Sequence, residues 1–101
     1  MPAELVINPE SDRDIERIVV WHDDQEPGLG EALLESLEAQ FVAICRSPRV
    51  FSHYRDLYRR SLLEKFYFAV VYTFDPDINT VTVFAVYHTS RDREKVLKHL
   101  P

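Results

Sequence analysis

Residues 66–88 read FYFAVVYTFDPDINTVTVFAVYH, and this stretch decides the fold. Phe66 to Phe74 is dense in aromatic and β-branched side chains, the composition of a strand. Asp75-Pro76-Asp77-Ile78-Asn79 is turn chemistry. Thr80 to His88 then alternates Val81, Val83 and Ala85 against Thr82, Phe84 and Val86, which predicts a second strand. Just upstream, Leu57 to Leu63 reads as a shorter strand carrying Arg59 and Arg60. Connections this tight predict an antiparallel meander of three strands. Residues 48–56 read as a polar loop leading into it.

Working outward, the N-terminal part predicts helices. Glu4 to Asn8 alternates briefly, with Leu5 and Ile7 on one face, and predicts a short strand. Asn8 is placed as a helix N-cap with Pro9 in the first helical position. Glu10, Asp12 and Asp14 follow in the first turns, where the helix dipole favours anions. Ile15, Ile18, Val19 and His22 fall at helical spacing, and Glu26-Pro27-Gly28 ends the helix. A second helix spans Leu29 to Ser47. Leu33, Leu37, Phe41, Ile44 and Cys45 form its apolar stripe, Leu29 and Leu34 widen it, and Pro48 stops it. The loop between the two helices is so short that they must form an antiparallel hairpin. On the C-terminal side, Thr89-x-x-Asp92 is placed as the cap of a short helix with Val96, Leu97 and Leu100 on its apolar side. All six prolines (Pro2, Pro9, Pro27, Pro48, Pro76, Pro101) lie at a terminus or a predicted boundary.

The predicted fold is therefore α+β in two layers, β-α-α-β-β-β with a short C-terminal helix. The helical hairpin packs on one face of a four-stranded sheet. The other face is only partly covered, which leaves a surface for a partner. At 101 residues and 46% hydrophobic, with 12% aromatic, the chain is expected to form one domain over residues 1–101.

The net charge of −5 is unevenly spread: −9 over residues 1–40 and +4 over residues 41–101. One reading is a solvated acidic helix pair beside an ordinary sheet. The other is a polar molecule whose C-terminal part attracts an acidic partner segment. Cys45 is the single cysteine, so no intramolecular disulfide and no CxxC zinc pair can form. No basic-then-apolar leader and no apolar run of about 18 residues is present, and a cytoplasmic chain without membrane contact is expected. His22-Asp23-Asp24 is metal-like in composition, but consecutive helical residues fan out around the axis. No metal and no cofactor is expected.

Taken in order, several of these stretches are similar to the RelE/ParE toxin family of plasmid-stabilisation proteins. Asn8-Pro9-Glu10 leads into a helix carrying Asp14-Ile15 and Trp21. Pro27-Gly28-Leu29-Gly30 makes the hairpin turn, followed by Leu34 and Phe41, and Ser47-Pro48 closes the second helix. Arg59-Arg60-x-Leu62 precedes Phe66. Ala85-Val86-Tyr87-His88 ends the last strand, followed by Ser90-Arg91-Asp92. The likeness covers nearly the whole chain and is closer to the ParE-like members. It departs from the family's habit at Tyr67-Phe68, where Pro-Tyr is frequent, at Arg93, where a proline is frequent, and at His22, where tyrosine is frequent.

The resemblance implies the toxin of a type II toxin–antitoxin system, neutralised by a cognate antitoxin. ParE-like members inhibit DNA gyrase by binding it; RelE-like members cut mRNA on the ribosome without a metal. RNA cutting needs groups that move protons at the 2′-hydroxyl and the 5′-oxygen, with cations beside the phosphate. The RelE-like candidates are Arg59, Arg60, Tyr87, His88 and Arg91, with Glu64 nearby. The acidic balance, and the lack of a tyrosine after His88, favour the gyrase-binding reading. Its target-binding candidates are Arg91, Arg93, Lys95 and Lys98. The interleaved Tyr54, Arg55, Tyr58, Arg59 and Arg60 could meet nucleic acid or the antitoxin. Arg55, Tyr58, Arg59 and Arg60 are taken as the antitoxin-binding set, inside a stretch from Arg46 to Lys65 with six basic and two acidic residues. A third possibility is a toxin-fold protein that binds an antitoxin without being toxic. Each candidate also has a plainer role: either arginine can pair with a carboxylate, His88 can be a hydrogen-bonded structural histidine, and Trp21 can simply line the core or a groove. Because neighbours on a strand point opposite ways, Arg59 must part from Arg60, and Tyr87 from His88.

Overall fold

The computed structural model describes residues 1–101. The elements run β1 (Glu4–Ile7), α1 (Pro9–Gln25), α2 (Leu29–Arg46), β2 (Ser52–Arg55), β3 (Tyr58–Leu62), β4 (Phe68–Asp75), β5 (Thr80–His88) and α3 (Arg93–Lys98). The sheet order is β1-β5-β4-β3-β2. β1 lies parallel to β5 and the remaining pairs are antiparallel. The predicted α+β architecture holds, with one strand more than expected.

That extra strand, β2, lies in the stretch read as a polar loop. It forms the sheet edge and pairs with β3 through a register shift between His53 and Arg55. Tyr54 is its one buried residue. An edge strand that buries a single side chain leaves no alternation to read. The neighbouring strands start later than their composition suggests. Leu57 is 84% exposed in the β2–β3 turn, beside Asp56 at φ 49°. Phe66 and Tyr67 both hold positive φ (70° and 58°), so β4 begins at Phe68.

The helical hairpin forms for local reasons. Asn8 Oδ1 accepts from the Ser11 N–H at 2.8 Å, and Pro9 occupies the first turn, where no N–H partner is needed. At the other end Asp23 Oδ1 gathers the N–H groups of Gly28 (2.9 Å) and Gly30 (3.3 Å). Gly28 takes φ 91°, which favours glycine. At Gly30 the helices touch, and a Cβ there would lie 2.5 Å from the Val19 carbonyl oxygen. α2 buries Leu33, Leu37, Phe41, Ile44 and Cys45, as its spacing predicts, whereas Leu34 stays exposed. Burial raises the pKa of the Cys45 thiol. These residues meet Val70, Tyr72, Val81, Val83 and Val86 in a core of 14 buried residues.

The alternation along β5 is not the uniform one the sequence predicts. Val71 pairs with Ala85 but Tyr72 pairs with Val83, which leaves Phe84 as a bulge. One extra residue reverses the facing of everything after it. Val86 thus joins Val81 and Val83 on the hairpin side, while Ala85 and Tyr87 face the other way. On that second face α3 packs Val96 against Tyr54, Ala69, Val71 and Tyr87. The cap of α3 is Asp92, whose carboxylate accepts from the Glu94 N–H at 3.0 Å; Thr89 makes no capping bond. No helix is long and apolar enough to cross a membrane.

Candidate functional site

The parity argument holds for both pairs of neighbours, and the β5 bulge decides which faces Tyr87 and His88 take. Arg60 and Tyr87 share the face covered by α3. Arg60 Nη1 donates to Tyr87 Oη at 3.1 Å, and Tyr87 Oη donates to Tyr54 Oη at 3.3 Å. The Tyr54 ring lies under two guanidinium groups, with Arg60 Cζ 5.1 Å and Arg93 Cζ 4.8 Å from its centroid. Arg93 Nη2 also donates to the Tyr54 carbonyl at 3.4 Å. Burial pushes the Tyr54 phenol up to about 12, helped by its pairing with the Tyr87 phenol and opposed by the charges of Arg93 and Arg60. Tyr54 therefore stays protonated at neutral pH and can donate but not act as a base. Tyr58, beside this cluster, donates to the Pro101 carbonyl at 2.7 Å and ties down the C-terminal end.

The other candidates are dispersed. Arg59 lies on the hairpin side and donates to the Phe51 carbonyl at 2.8 Å. His88 also lies there, its ring edge-on to Phe68 at 5.2 Å. Arg91 lines a cleft of about 250 Å³ between α1, β5 and α3, shared with Glu10, Asp14, Arg17 and Tyr87. Arg55 is exposed and lies 3.5 Å from Asp56. Glu64 is exposed in the turn before β4, and Lys95 and Lys98 are exposed on α3. Of the five residues proposed for catalysis, then, only Arg60 and Tyr87 hydrogen-bond to one another. Of the antitoxin set, Arg60 and Tyr58 share the α3 face. Of the target set, Arg93 is folded back onto Tyr54.

Two groupings escape sequence reasoning. Tyr54, marked in the sequence only as one ring of the interleaved run from Tyr54 to Arg60, is central to the Arg60–Tyr87–Arg93 cluster. His22, on α1, approaches the same Phe68 ring as His88, at 5.7 Å between centroids, although 66 positions separate the two histidines.

No family model matches the sequence, and no curated protein does either. Solved structures do. A doubly substituted E. coli RelE toxin in the free state superposes with a TM-score of 0.73 at 16% identity, covering 99% of this chain and 95% of that one. The toxin in the intact E. coli RelBE toxin–antitoxin complex gives 0.67 at 17% identity, covering 88% and 99%. The RelBE2 toxin–antitoxin complex of Mycobacterium tuberculosis gives 0.61 at 20% identity, covering 87% and 99%. At these identities what is shared is the backbone architecture, and by that measure the chain has the fold of the RelE toxins along nearly its whole length.

Proposed function

We propose that this chain is the toxin of a type II toxin–antitoxin pair, acting in the cytoplasm and held inactive by a small cognate antitoxin. The observation that carries this reading is the likeness to RelE toxins over 99% of the chain, including toxins solved with their antitoxins. Physical support comes from the sheet. Its second face carries the basic side chain of Arg60 and is closed by one six-residue helix that adds Arg93. An acidic antitoxin arm suits the stretch from Arg46 to Lys65, where Arg55, Tyr58 and Arg60 would meet it, whereas Arg59, of the same expected set, lies on the hairpin side. The test is expression with and without the antitoxin gene. Growth arrest relieved by the antitoxin is the expected result; a chain harmless alone that still binds the antitoxin would be a non-toxic homologue. The association rate should fall as salt rises, and a salt-indifferent rate would remove the electrostatic part.

For the target, the reading first in line is inhibition of DNA gyrase by binding, through Arg91, Arg93, Lys95 and Lys98. Its support is the dispersal of the catalytic candidates: Arg59 and His88 lie on the hairpin side, Arg60 and Tyr87 on the other. A second reading, cleavage of mRNA on the ribosome, is favoured by the Arg60–Tyr87–Tyr54–Arg93 cluster. If α3 moved aside, taking Arg93 with it, the Arg60 guanidinium and the two phenols would face the same phosphate without any metal. A supercoiling assay beside a ribosome-programmed cleavage assay decides. Tyr87→Phe should abolish cleavage and leave gyrase inhibition standing.

A further inference from the structure

The solvent side of the helical hairpin carries a surface that neither target reading uses. Val20 on α1 and Leu34 on α2 lie off the stripes that face the core, and they are 60% and 36% exposed. The fold does not ask for them. A β-branched side chain at an exposed helical position lowers helix propensity, and a lysine there would serve the helix better. Yet the two residues, from opposite helices, meet in one open groove of about 480 Å³, which they line with Val19, Asp23, Asp24 and Glu31 beside the hairpin turn. The turn fixes its shape. Gly30 lets α2 close on the Val19 carbonyl, and Asp23 Oδ1 holds the N–H groups of Gly28 and Gly30. A ligand therefore finds the groove already formed.

The charges around the groove have one sign. Three carboxylates line it and no cation does. The two ion pairs of the chain, Arg17–Asp14 and Arg55–Asp56, lie outside it. From Pro9 to Arg46 the hairpin has ten acidic residues and three basic ones. The pattern continues away from the turn. Glu16 precedes Val20 by four positions and Glu38 follows Leu34 by four, and both are exposed. Residues four apart share a helix face. The Val20–Leu34 pair thus has carboxylates on both sides, Asp24 and Glu31 towards the turn and Glu16 and Glu38 away from it. Val42, four positions beyond Glu38 and 50% exposed, adds another apolar step on α2. Each step is about 6 Å, the rise of four helical residues. A third helix laid along the groove repeats at the same interval. Glu31 and Glu35 are also a like-charge pair at i, i+4, unfavourable until a cation comes between them.

We propose that this groove docks a basic amphipathic helix of a partner protein. Its apolar side chains seat between Val20 and Leu34, and its lysines or arginines meet Asp24, Glu31, Glu16 and Glu38. The sign of the charge separates this surface from the antitoxin surface proposed above. An acidic arm is drawn to the stretch from Arg46 to Lys65 and is repelled here. The inference does not rest on the toxin reading, and a chain that fails to arrest growth leaves it untouched.

The probe is a fluorescently labelled helical peptide of about 18 leucines and lysines, with the leucines at amphipathic spacing. Its anisotropy would be followed as the full chain is added. Two further peptides serve as controls, one with glutamate in place of lysine and one with the same composition scrambled. Saturable binding of the first peptide is expected, weakening as salt rises. Leu34→Ser should weaken it about tenfold and Glu31→Gln about threefold. Both positions are exposed, so far-ultraviolet circular dichroism should not change. Asp77→Asn, an exposed carboxylate in the turn between β4 and β5, should leave binding as it was. No saturable binding by about 1 mM peptide overturns the proposal. So does equal binding of the scrambled or glutamate peptide, or an equal loss in Asp77→Asn, since the attraction would then be diffuse charge and not a groove. Self-association of the chain in sedimentation, abolished by Leu34→Ser, would make the occupant a second copy and overturn the partner helix.

Discussion

The two faces of the sheet are built from the same strands to different standards. On the hairpin side, two helices of 17 and 18 residues and the sheet bury a core of 14 residues. On the other, one helix of six residues closes a cluster of five that includes its own Val96, and the polar groups of Arg60, Tyr87 and Tyr54 run through the cluster. The first face sets whether the chain folds. The second has little apolar area behind it and can open at small cost, as surfaces reserved for a partner do. Substitutions of one kind should therefore have unlike consequences on the two sides.

The widest gap should come from Leu37 and Val96. Leu37 is 0% exposed in the large core, and Leu37→Ala should cost about 2–5 kcal/mol of global stability in a denaturant titration. Val96 is 4% exposed beneath α3, and Val96→Ala removes two methyl groups, about 1.5 kcal/mol. Its effect should be confined to hydrogen exchange in α3 and its neighbours, with the midpoint of global unfolding nearly unmoved. If Val96→Ala shifts global unfolding as far as Leu37→Ala does, the two faces form one cooperative unit and the contrast fails.

Alkaline pH tests the contrast without mutation, because each face carries one raised tyrosine. Tyr72, on the hairpin side, is fully buried with its hydroxyl donating to the Pro48 carbonyl at 2.7 Å, and burial pushes it up to about 12. Tyr54, on the other side, is also pushed up to about 12. A folded pKa above the ordinary 10 means that stability is fully present below pH 10 and is lost as pH rises towards 12. Tyr72→Phe should flatten the global part of that loss. Tyr54→Phe should flatten only the local release of α3, because Arg60 and Arg93 flank the phenolate that forms.

The sequence made one of these faces more legible than the other. Helical spacing, the Asn8 cap and the prolines located the hairpin to within a residue, because a deep core demands periodicity along its whole length. The α3 face is read through β2, where only Tyr54 is buried, and through β5 beyond the Phe84 bulge. Neither leaves a periodic trace. Strand parity correctly separated Arg59 from Arg60 and Tyr87 from His88. It could not say which pairs would meet, since that depends on the bulge and on chain segments far apart. The convergence of His22 and His88 on the Phe68 ring was invisible for the same reason.

Gly30→Ala tests the hairpin at its closest approach. A Cβ 2.5 Å from the Val19 carbonyl must push α1 and α2 apart, at about 1–3 kcal/mol. Because the strain lies at the hairpin turn, it should appear as a lower thermal midpoint with α3 exchange unchanged. A tolerated Gly30→Ala would mean that the helices slide freely at this end, and the large core would be less rigid than its burial suggests.

The smallest effect should have the opposite sign, and it lies on the well-built face. Ser11 is 0% exposed in the first turn of α1, and its Oγ has no hydrogen-bond partner. Its backbone N–H is already satisfied by Asn8, so the hydroxyl contributes nothing to the cap. A buried hydroxyl without a partner keeps its desolvation cost and gains no bond in return. Ser11→Ala removes that oxygen without creating a large cavity and improves helix propensity, so stability should rise by about 0.5–1 kcal/mol. Asn8→Ala, one turn earlier, removes a real cap and should lower stability by about 1 kcal/mol. Opposite signs at two polar residues three positions apart would show that the hairpin face is stabilised by satisfied groups and not by polarity as such. A loss on Ser11→Ala would instead reveal a bond to that oxygen and a polar seam within the large core, bringing the two faces closer in kind.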